Sequence, residues 1–271
     1  MDVNGRQAAR RPAFKVDVSM PSPARIYDYY LGGKDNFPVD REVAEQALSV
    51  VPEGRELARA NRHFLVRAVS YLAAHGIDQF IDLGTGIPTS PSVHEAARAV
   101  NPGVRVAYVD NDTQVVIHNR ALLAGYDGIS AVAGDVRYPA EITDDPGVCK
   151  LVDFSRPVGV LFVAVLHFVT DSEDPWGSVA HFRELMAPGS YLVVSHVTSD
   201  GSDPDAVNAI RGAYANASAP AVFRTARRVG DFFDGFRLDY PGIVDVSQWR
   251  PLPGAAAPEI SVRVLAGVGK K

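Results

Sequence analysis

From Gln79 onward, short apolar runs alternate with stretches whose apolar residues recur every three or four positions. The apolar runs are QFIDLG, RVAYVD, ISAVAGD, PVGVLFVAVLHFV and SYLVVSHV, and each reads as a strand. SPSVHEAARAV, TQVVIHNRALLAG and WGSVAHFRELM carry the helical period between them, with a weaker helical stretch ahead of the fourth strand. Strands that are apolar throughout and separated by helices predict a parallel sheet covered on both faces. Two helical stretches follow, at about 204–217 and 224–233, and then two extended segments, GFRLDYPGIVDVSQW and EISVRVLAGVG. Little but a Pro/Gly/Ala loop separates those two, which predicts an antiparallel hairpin at the sheet edge. The expectation is an α/β fold: a doubly wound, mostly parallel seven-stranded sheet.

The first 76 residues differ. Residues 1–20 are polar and aperiodic and are expected to form a flexible tail. In PSPARIYDYYLGGKDNFPVD (21–40) a short helix is predicted to reach Leu31 and to stop at Gly32 and Gly33. REVAEQALSVV and ELARANRHFLVRAVSYLAAHG continue the helical period, broken at Pro52 and ended at Gly76. Residues 21–76 are therefore expected to form a helical lid on a core at 77–271. No repeat and no linker divides the chain further.

Composition narrows the class of partner. The 271 residues carry 27 Lys and Arg against 32 Asp and Glu, a net charge of −5, so no basic surplus suggests a nucleic-acid backbone as ligand. Cys149 is the single cysteine, which rules out an internal disulfide or a cysteine-rich zinc site. No apolar run approaches the ~18 residues of a membrane span, and the first 20 residues lack a signal-peptide core. A soluble, cytoplasmic protein with no nucleic-acid, membrane or metal partner is expected. A homodimer is left open.

The chemistry starts at FIDLGTGIPTS, residues 80–90, where the first strand runs into Gly84 and Gly86. Glycines in such a turn let a ligand approach the backbone, and ligands of open α/β sheets sit at carboxyl strand ends. The dinucleotide pattern G-x-G-x-x-G is incomplete, since Thr89 stands at its third position. By itself the turn fits a tight strand-to-helix connection equally well. Three aspartates add to it. Asp82 precedes the glycines and can orient the turn or a ligand ammonium. Asp110 ends the second strand, where a carboxylate can accept both ribose hydroxyls, and Asp135 ends the third, where it can take an adenine amino group. Any one of them alone would serve as a helix cap or a solvated loop residue.

FIDLGTGIPT, YVDND, AGDV and LMAPGSYLVVSH resemble, in order, the motifs of class I S-adenosylmethionine-dependent methyltransferases, with Ser190 where a second glycine is common. PSPARIYDYYLGGKDNFPVDREVAEQAL, ANRHFLVRAVSYL and PGIVDVSQWRP extend the similarity to one actinobacterial methyltransferase family, formerly a domain of unknown function, over residues 20 to 271. The resemblance implies a Rossmann-like core and S-adenosyl-L-methionine as cofactor. Carried over, it places the backbone of Gly84, Thr85 and Gly86 against the methionine part and Asp110 on the ribose hydroxyls. It sets Asn111, Asp135 and Val136 about the adenine, and Ala164, Val165 and His167 along the sulfonium and acceptor side. Pro88 departs from the pattern, and the acceptor is not supplied by the resemblance.

Methyl transfer asks for a line of attack, and for a base only when the acceptor carries a proton. His167, after the fourth strand, is the first candidate base and His196 the second; a packed or capping histidine is the alternative for each. GGKD is not a phosphate loop, because Asp35 replaces the required Ser or Thr and no strand leads in. Gly32 and Gly33 are instead read as the hinge of a lid carrying Tyr27, Tyr30, Asn36 and Phe37 to cofactor or acceptor, with Tyr30 touching the cofactor. Arg62 is read as the partner of the cofactor carboxylate. The stretch after the fourth strand reads AVLHFV rather than Asn/Asp-Pro-Pro-Tyr, which points away from nucleic-acid bases and toward a small molecule methylated at oxygen or nitrogen. Two other functions stay open: a cofactor-binding sensor without catalysis, and an NAD-dependent oxidoreductase, which Thr89 and Asp82 disfavour.

Overall fold

The central sheet orders its strands by a reversal between the first and the fourth. In the computed structural model, which describes residues 17–251 and 260–271, the chain runs α1 (Pro23–Tyr30), α2 (Pro38–Leu48), α3 (Gly54–Ala74), β1 (Gln79–Leu83), α4 (Val93–Arg98), β2 (Arg105–Asp110) and α5 (Thr113–Leu122). It continues through β3 (Ile129–Ala133), α6 (Pro139–Thr143), α7 (Pro146–Cys149), β4 (Gly159–Val163), α8 (Pro175–Leu185) and β5 (Tyr191–Thr198). The last elements are α9 (Pro204–Ala213), α10 (Ala226–Gly230), β6 (Arg237–Leu238), β7 (Val244–Asp245) and β8 (Arg263–Lys270). The sheet order is β3-β2-β1-β4-β5-β8-β6, with β7 also on β8. β1 to β5 are parallel, and β8 lies antiparallel to β5 from Tyr191↔Lys270 to Thr198↔Arg263. Residues 1–16 of the expected tail, and residues 252–259 of the loop before β8, fall outside the described residues.

The doubly wound sheet with its antiparallel edge is as the apolar runs predicted, but it has eight strands among the described residues instead of seven. The segment GFRLDYPGIVDV is cut in two by a turn in which the Gly242 N–H donates to the Asp239 carbonyl at 2.7 Å, leaving β6 and β7 as two-residue pieces on β8. The fourth apolar run is also shorter than its composition suggests. β4 ends at Val163, and Leu166–Phe168 coil into a 3₁₀ turn whose Leu166 is as buried as the strand before it.

Strand alternation divides the core between two faces. On one face Phe80, Val106, Leu161 and Val193 pack against Phe64, Leu65, Ala68 and Leu72 of α3 and against Trp249. On the other, Ile81, Ala107, Val160 and Leu192 pack against Phe182 of α8 and against Phe232 and Phe233. α3 is thus a covering helix of the sheet, its buried residues repeating every three or four positions from Ala58 to Ala73. The cap over the strand ends is built from α1 and α2, whose Ile26, Val43 and Ala47 share an apolar cluster with Val207, Tyr214 and Phe223.

The cap is fastened by charge. Asp40, fully buried, accepts from Arg25 Nε at 2.9 Å and from the backbone N–H groups of Ser22 and Phe37 at 2.9 and 2.8 Å. Ser22 Oγ and Arg25 Nη1 also donate to Asp112, the residue that caps α5. The Met20 carbonyl accepts from Arg25 as well, although residues 17–20 stay exposed. A buried ion pair deprived of one partner destabilises by about 3–5 kcal/mol. Asp40→Ala is expected to lower urea-unfolding stability by that amount, and Arg25→Met/Asp40→Leu to recover a large part of it. A loss below about 1 kcal/mol for Asp40→Ala would remove this anchor from the fold.

Candidate active site

At the reversal between β1 and β4 the strand ends open into a cleft of about 490 Å³. Its floor is the turn after β1. Gly84 and Gly86 adopt φ of +70° and +69°, the left-handed region that glycine enters without strain. A Cβ on Gly84 would lie 2.3 Å from Val165 Cγ2, so that glycine lets the turn and the loop after β4 touch. Gly86 borders the cleft with nothing within 4 Å of the position a Cβ would take.

Two aspartates stand buried at this floor. Asp82 accepts from Thr85 Oγ1 at 2.9 Å, and burial pushes its pKa up to about 6. Asp110 accepts from the N–H groups of Gly86 and Asp112, both at 2.9 Å; burial raises its pKa to about 7, helped by the nearby Asp112 and Asp82 charges. Asp135, with Asn111 and Val136, lies at the far end. Burial alone would raise Asp135, but the hydrogen bonds from Arg137 and Asn111 outweigh it and hold the carboxyl below its ordinary range. Arg137 also bridges to Glu173 at 2.7 Å.

The opposite wall is a chain of buried hydrogen bonds that the sequence reading did not find. Ala164 has φ of +56°, a conformation disfavoured for any residue with a Cβ. Its N–H donates to Ser195 Oγ at 2.9 Å, and Ser195 Oγ donates to Asn61 Oδ1 at 2.6 Å. Asn61 Nδ2 donates to Tyr27 Oη at 2.9 Å, which donates to the Ala58 carbonyl at 2.9 Å. The available signal was an amide on the apolar face of α3 and a serine inside an otherwise apolar strand.

Beyond this wall lies a second, apolar pocket of about 110 Å³, which shares Pro23, Tyr27, Asn61, Ala164 and Phe168 with the cleft. The structure places several expected site residues here or elsewhere. Tyr30 lines the apolar pocket and not the cleft, because its hydroxyl pairs with Tyr214 under the cap. His167 also lines that pocket, with Nδ1 buried and without a partner. His196 lines neither: strand alternation puts it on the face opposite Ser195, where Nδ1 meets the Val197 carbonyl and Nε2 meets Arg224. Arg62 borders the cleft but reaches back to the carbonyls of Thr89 and Pro91, at 2.9 and 2.6 Å, holding the turn. Gly32, Gly33, Asn36 and Phe37 line neither space. Asp28 fixes their loop by accepting from Asn36 Nδ2 and the Asp35 N–H, and a Cβ on Gly33 would overlap its carboxylate at 1.9 Å.

Over residues 9–271 the sequence matches the family described as S-adenosyl methyltransferase. The chain belongs to that family. A DUF574-family protein from Streptomyces avermitilis is similar at 38% identity and a TM-score of 0.90, over 95% of this chain and 100% of that one. A Thermobifida fusca protein provisionally named a methyltransferase matches at 38% identity and a TM-score of 0.88, over 97% and 99%. Human N-acetylserotonin methyltransferase, solved in complex with S-adenosylmethionine, shares the fold at 14% identity and a TM-score of 0.50, over 95% of this chain and 63% of that one. No curated protein matches. The methyltransferase is thus S-adenosylmethionine-dependent, which sets aside the nicotinamide and non-catalytic alternatives. Its cleft suits a cationic cofactor, with two buried carboxylates held partly neutral and an unobstructed glycine turn between them.

The raised carboxyls make stability pH-dependent. Asp82 and Asp110 titrate near 6 and 7 when folded, against an ordinary 3.8. Between about pH 4 and 7 the folded protein keeps protons that the unfolded chain has released, so their contribution is lost as pH rises through that window. Asp110→Asn is expected to gain on the wild type by at least about 1.4 kcal/mol between pH 4.5 and 8, the worth of one tenfold change in ionisation. Urea unfolding at the two pH values checks this, and a pH-independent difference would contradict it.

Proposed function

We propose that the protein transfers the methyl group of S-adenosylmethionine to oxygen or nitrogen of a small molecule. The observation that carries this reading is the apolar pocket meeting the cleft at Tyr27, Asn61 and Ala164. A cofactor in the cleft and an acceptor in the pocket would face each other across that wall.

In this reading Asp82 faces the cofactor ammonium and the backbone at Gly84, Thr85 and Gly86 follows its methionine chain. Asp110 accepts from the ribose hydroxyls, while Asn111, Asp135 and Val136 frame the adenine. Ala164 and Val165 border the sulfonium. When bound, the cofactor supplies an electrophilic methyl: the acceptor's lone pair forms the new bond to carbon as the carbon–sulfur bond breaks, its electron pair stays on sulfur, and a displaced acceptor proton passes to solvent. The protein's part is alignment and exclusion of water, the larger share of catalysis for an in-line displacement.

Neither histidine suits the role of strong base. Burial, with His196 and the Arg224 charge nearby, holds the His167 pKa well below the ordinary 6.5. His196 is pushed down to about 3, chiefly by burial, and its ring is pinned away from both spaces. His167 is better placed to orient an acceptor than to deprotonate it.

Methyl-labelled S-adenosylmethionine incubated with host extract is expected to label a compound in the low-molecular-mass fraction, identifiable by mass spectrometry. Label confined to protein or nucleic acid would overturn the small-molecule acceptor. Asp110→Asn is expected to weaken S-adenosylhomocysteine binding about 10- to 100-fold in calorimetry, the worth of hydrogen bonds to a charged group. Unchanged affinity would take Asp110 out of the site.

A further inference from the structure

The apolar pocket has a chemical character more specific than its position. Its walls come from α1, α2, α3, the turn after β4, α9 and β8, and among the described residues no Asp, Glu, Lys or Arg lines it. The cleft beside it is bordered by Arg25, Arg62, Asp82, Asp110, Asp135 and Arg137. Two adjoining spaces therefore differ sharply in what they can hold. A carboxylate, phosphate or ammonium moved into the apolar one would leave water without gaining a counter-charge, at a cost far beyond any gain in contact.

Size sets a second limit. A dry cavity of about 150 Å³ takes one benzene molecule. A space of about 110 Å³ is smaller than that, so a single six-membered ring fits only with part of it projecting through the shared wall toward the cleft, and a fused bicycle exceeds the space further. Phe168 and Tyr214, with centroids 5.7 Å apart and planes at 29°, supply aromatic surface on one side.

The third limit is polar. Most hydroxyls on the walls already have partners: Tyr27 bonds Ala58 and Asn61, and Tyr30 bonds Tyr214. His167 is the exception, 7% exposed and with Nδ1 unpartnered. An orphaned buried nitrogen destabilises a protein by about 1–3 kcal/mol, so the ring carries hydrogen-bonding capacity that the fold leaves unused. The imidazole itself lines the pocket, so a ligand seated there meets the ring.

We propose that this pocket is the acceptor seat and that it selects an uncharged, single-ring molecule whose one hydrogen-bonding group is met by the imidazole of His167. The proposal rests on the reading of the chain as a small-molecule methyltransferase, and it adds charge, size and the contact residue. Its neutral imidazole, held so by burial, fits a neutral partner.

The test is binding to protein saturated with S-adenosylhomocysteine at pH 7.5, followed by ligand-observed NMR and calorimetry. Phenol is the neutral single ring, benzoate and benzylamine are its charged counterparts, and 2-naphthol is the bicycle. Phenol is expected to bind at least ten times more tightly than the other three. His167→Phe, which keeps the ring volume, is expected to weaken phenol about tenfold while leaving toluene unchanged. Ala47→Leu, which fills the pocket from α2, is expected to abolish binding of both rings with S-adenosylhomocysteine affinity intact. No phenol binding, or equal binding of benzoate or benzylamine, would overturn the proposal while the cofactor still binds. Failure of S-adenosylhomocysteine itself to bind would instead strike the underlying reading.

Discussion

The amide of Asn61 joins β5, the loop after β4 and the cap in one chain of buried hydrogen bonds. It receives the Ser195 hydroxyl from β5 and gives a hydrogen to Tyr27 of the cap, all within the buried face of α3. Ser195 in turn holds the N–H of Ala164 in a left-handed conformation that costs of order 1–3 kcal/mol for a residue with a Cβ. In a low-dielectric interior such linked bonds reinforce one another, and none of these groups has water to fall back on. The position of Ala164 sets that of Val165, and Val165 occupies the space Gly84 leaves open. The Asn61 side chain thus links the loop after β4, and through it the turn at the floor, to the cap.

That chain of bonds divides two environments. On one side stand carboxylates whose ionisation is held back by burial; on the other stands a pocket walled by aliphatic and aromatic groups with one unpaired imidazole nitrogen. The two spaces meet at Pro23, Tyr27, Asn61, Ala164 and Phe168, so a polar, titratable environment and an apolar one adjoin along a single wall.

The strands and the cleft aspartates were legible from the chain because both follow from local pattern: apolar runs of strand length, and polar residues at their carboxyl ends. Where other expected site residues lie was decided by partners that spacing cannot show. His196 and Ser195 are neighbours in β5, and one step of strand alternation decides which meets Asn61 and the Ala164 N–H and which meets Arg224. Tyr27 and Tyr30 lie one turn apart on α1, yet one meets Asn61 and the other Tyr214, a choice made by tertiary partners. Arg62 has a carbonyl pair within reach that only the folded turn creates. The division of GFRLDYPGIVDV into β6 and β7 depends on β8 as a template, eight residues long and antiparallel, which follows them as the next strand.

The three residues after the body of β2 carry unlike duties in immediate succession. Asp110 receives the N–H of the glycine turn, Asn111 donates to Asp135, and Asp112 receives Ser22 and Arg25 of the cap. A backbone this short has little slack, so its ends are thermodynamically linked. Whatever steadies Asp110 also steadies the attachment of α1, and by reciprocity a firmly seated α1 improves the site around Asp110 by an equal free energy. The cap thus borders the cleft directly and is also tied to its floor through three peptide units.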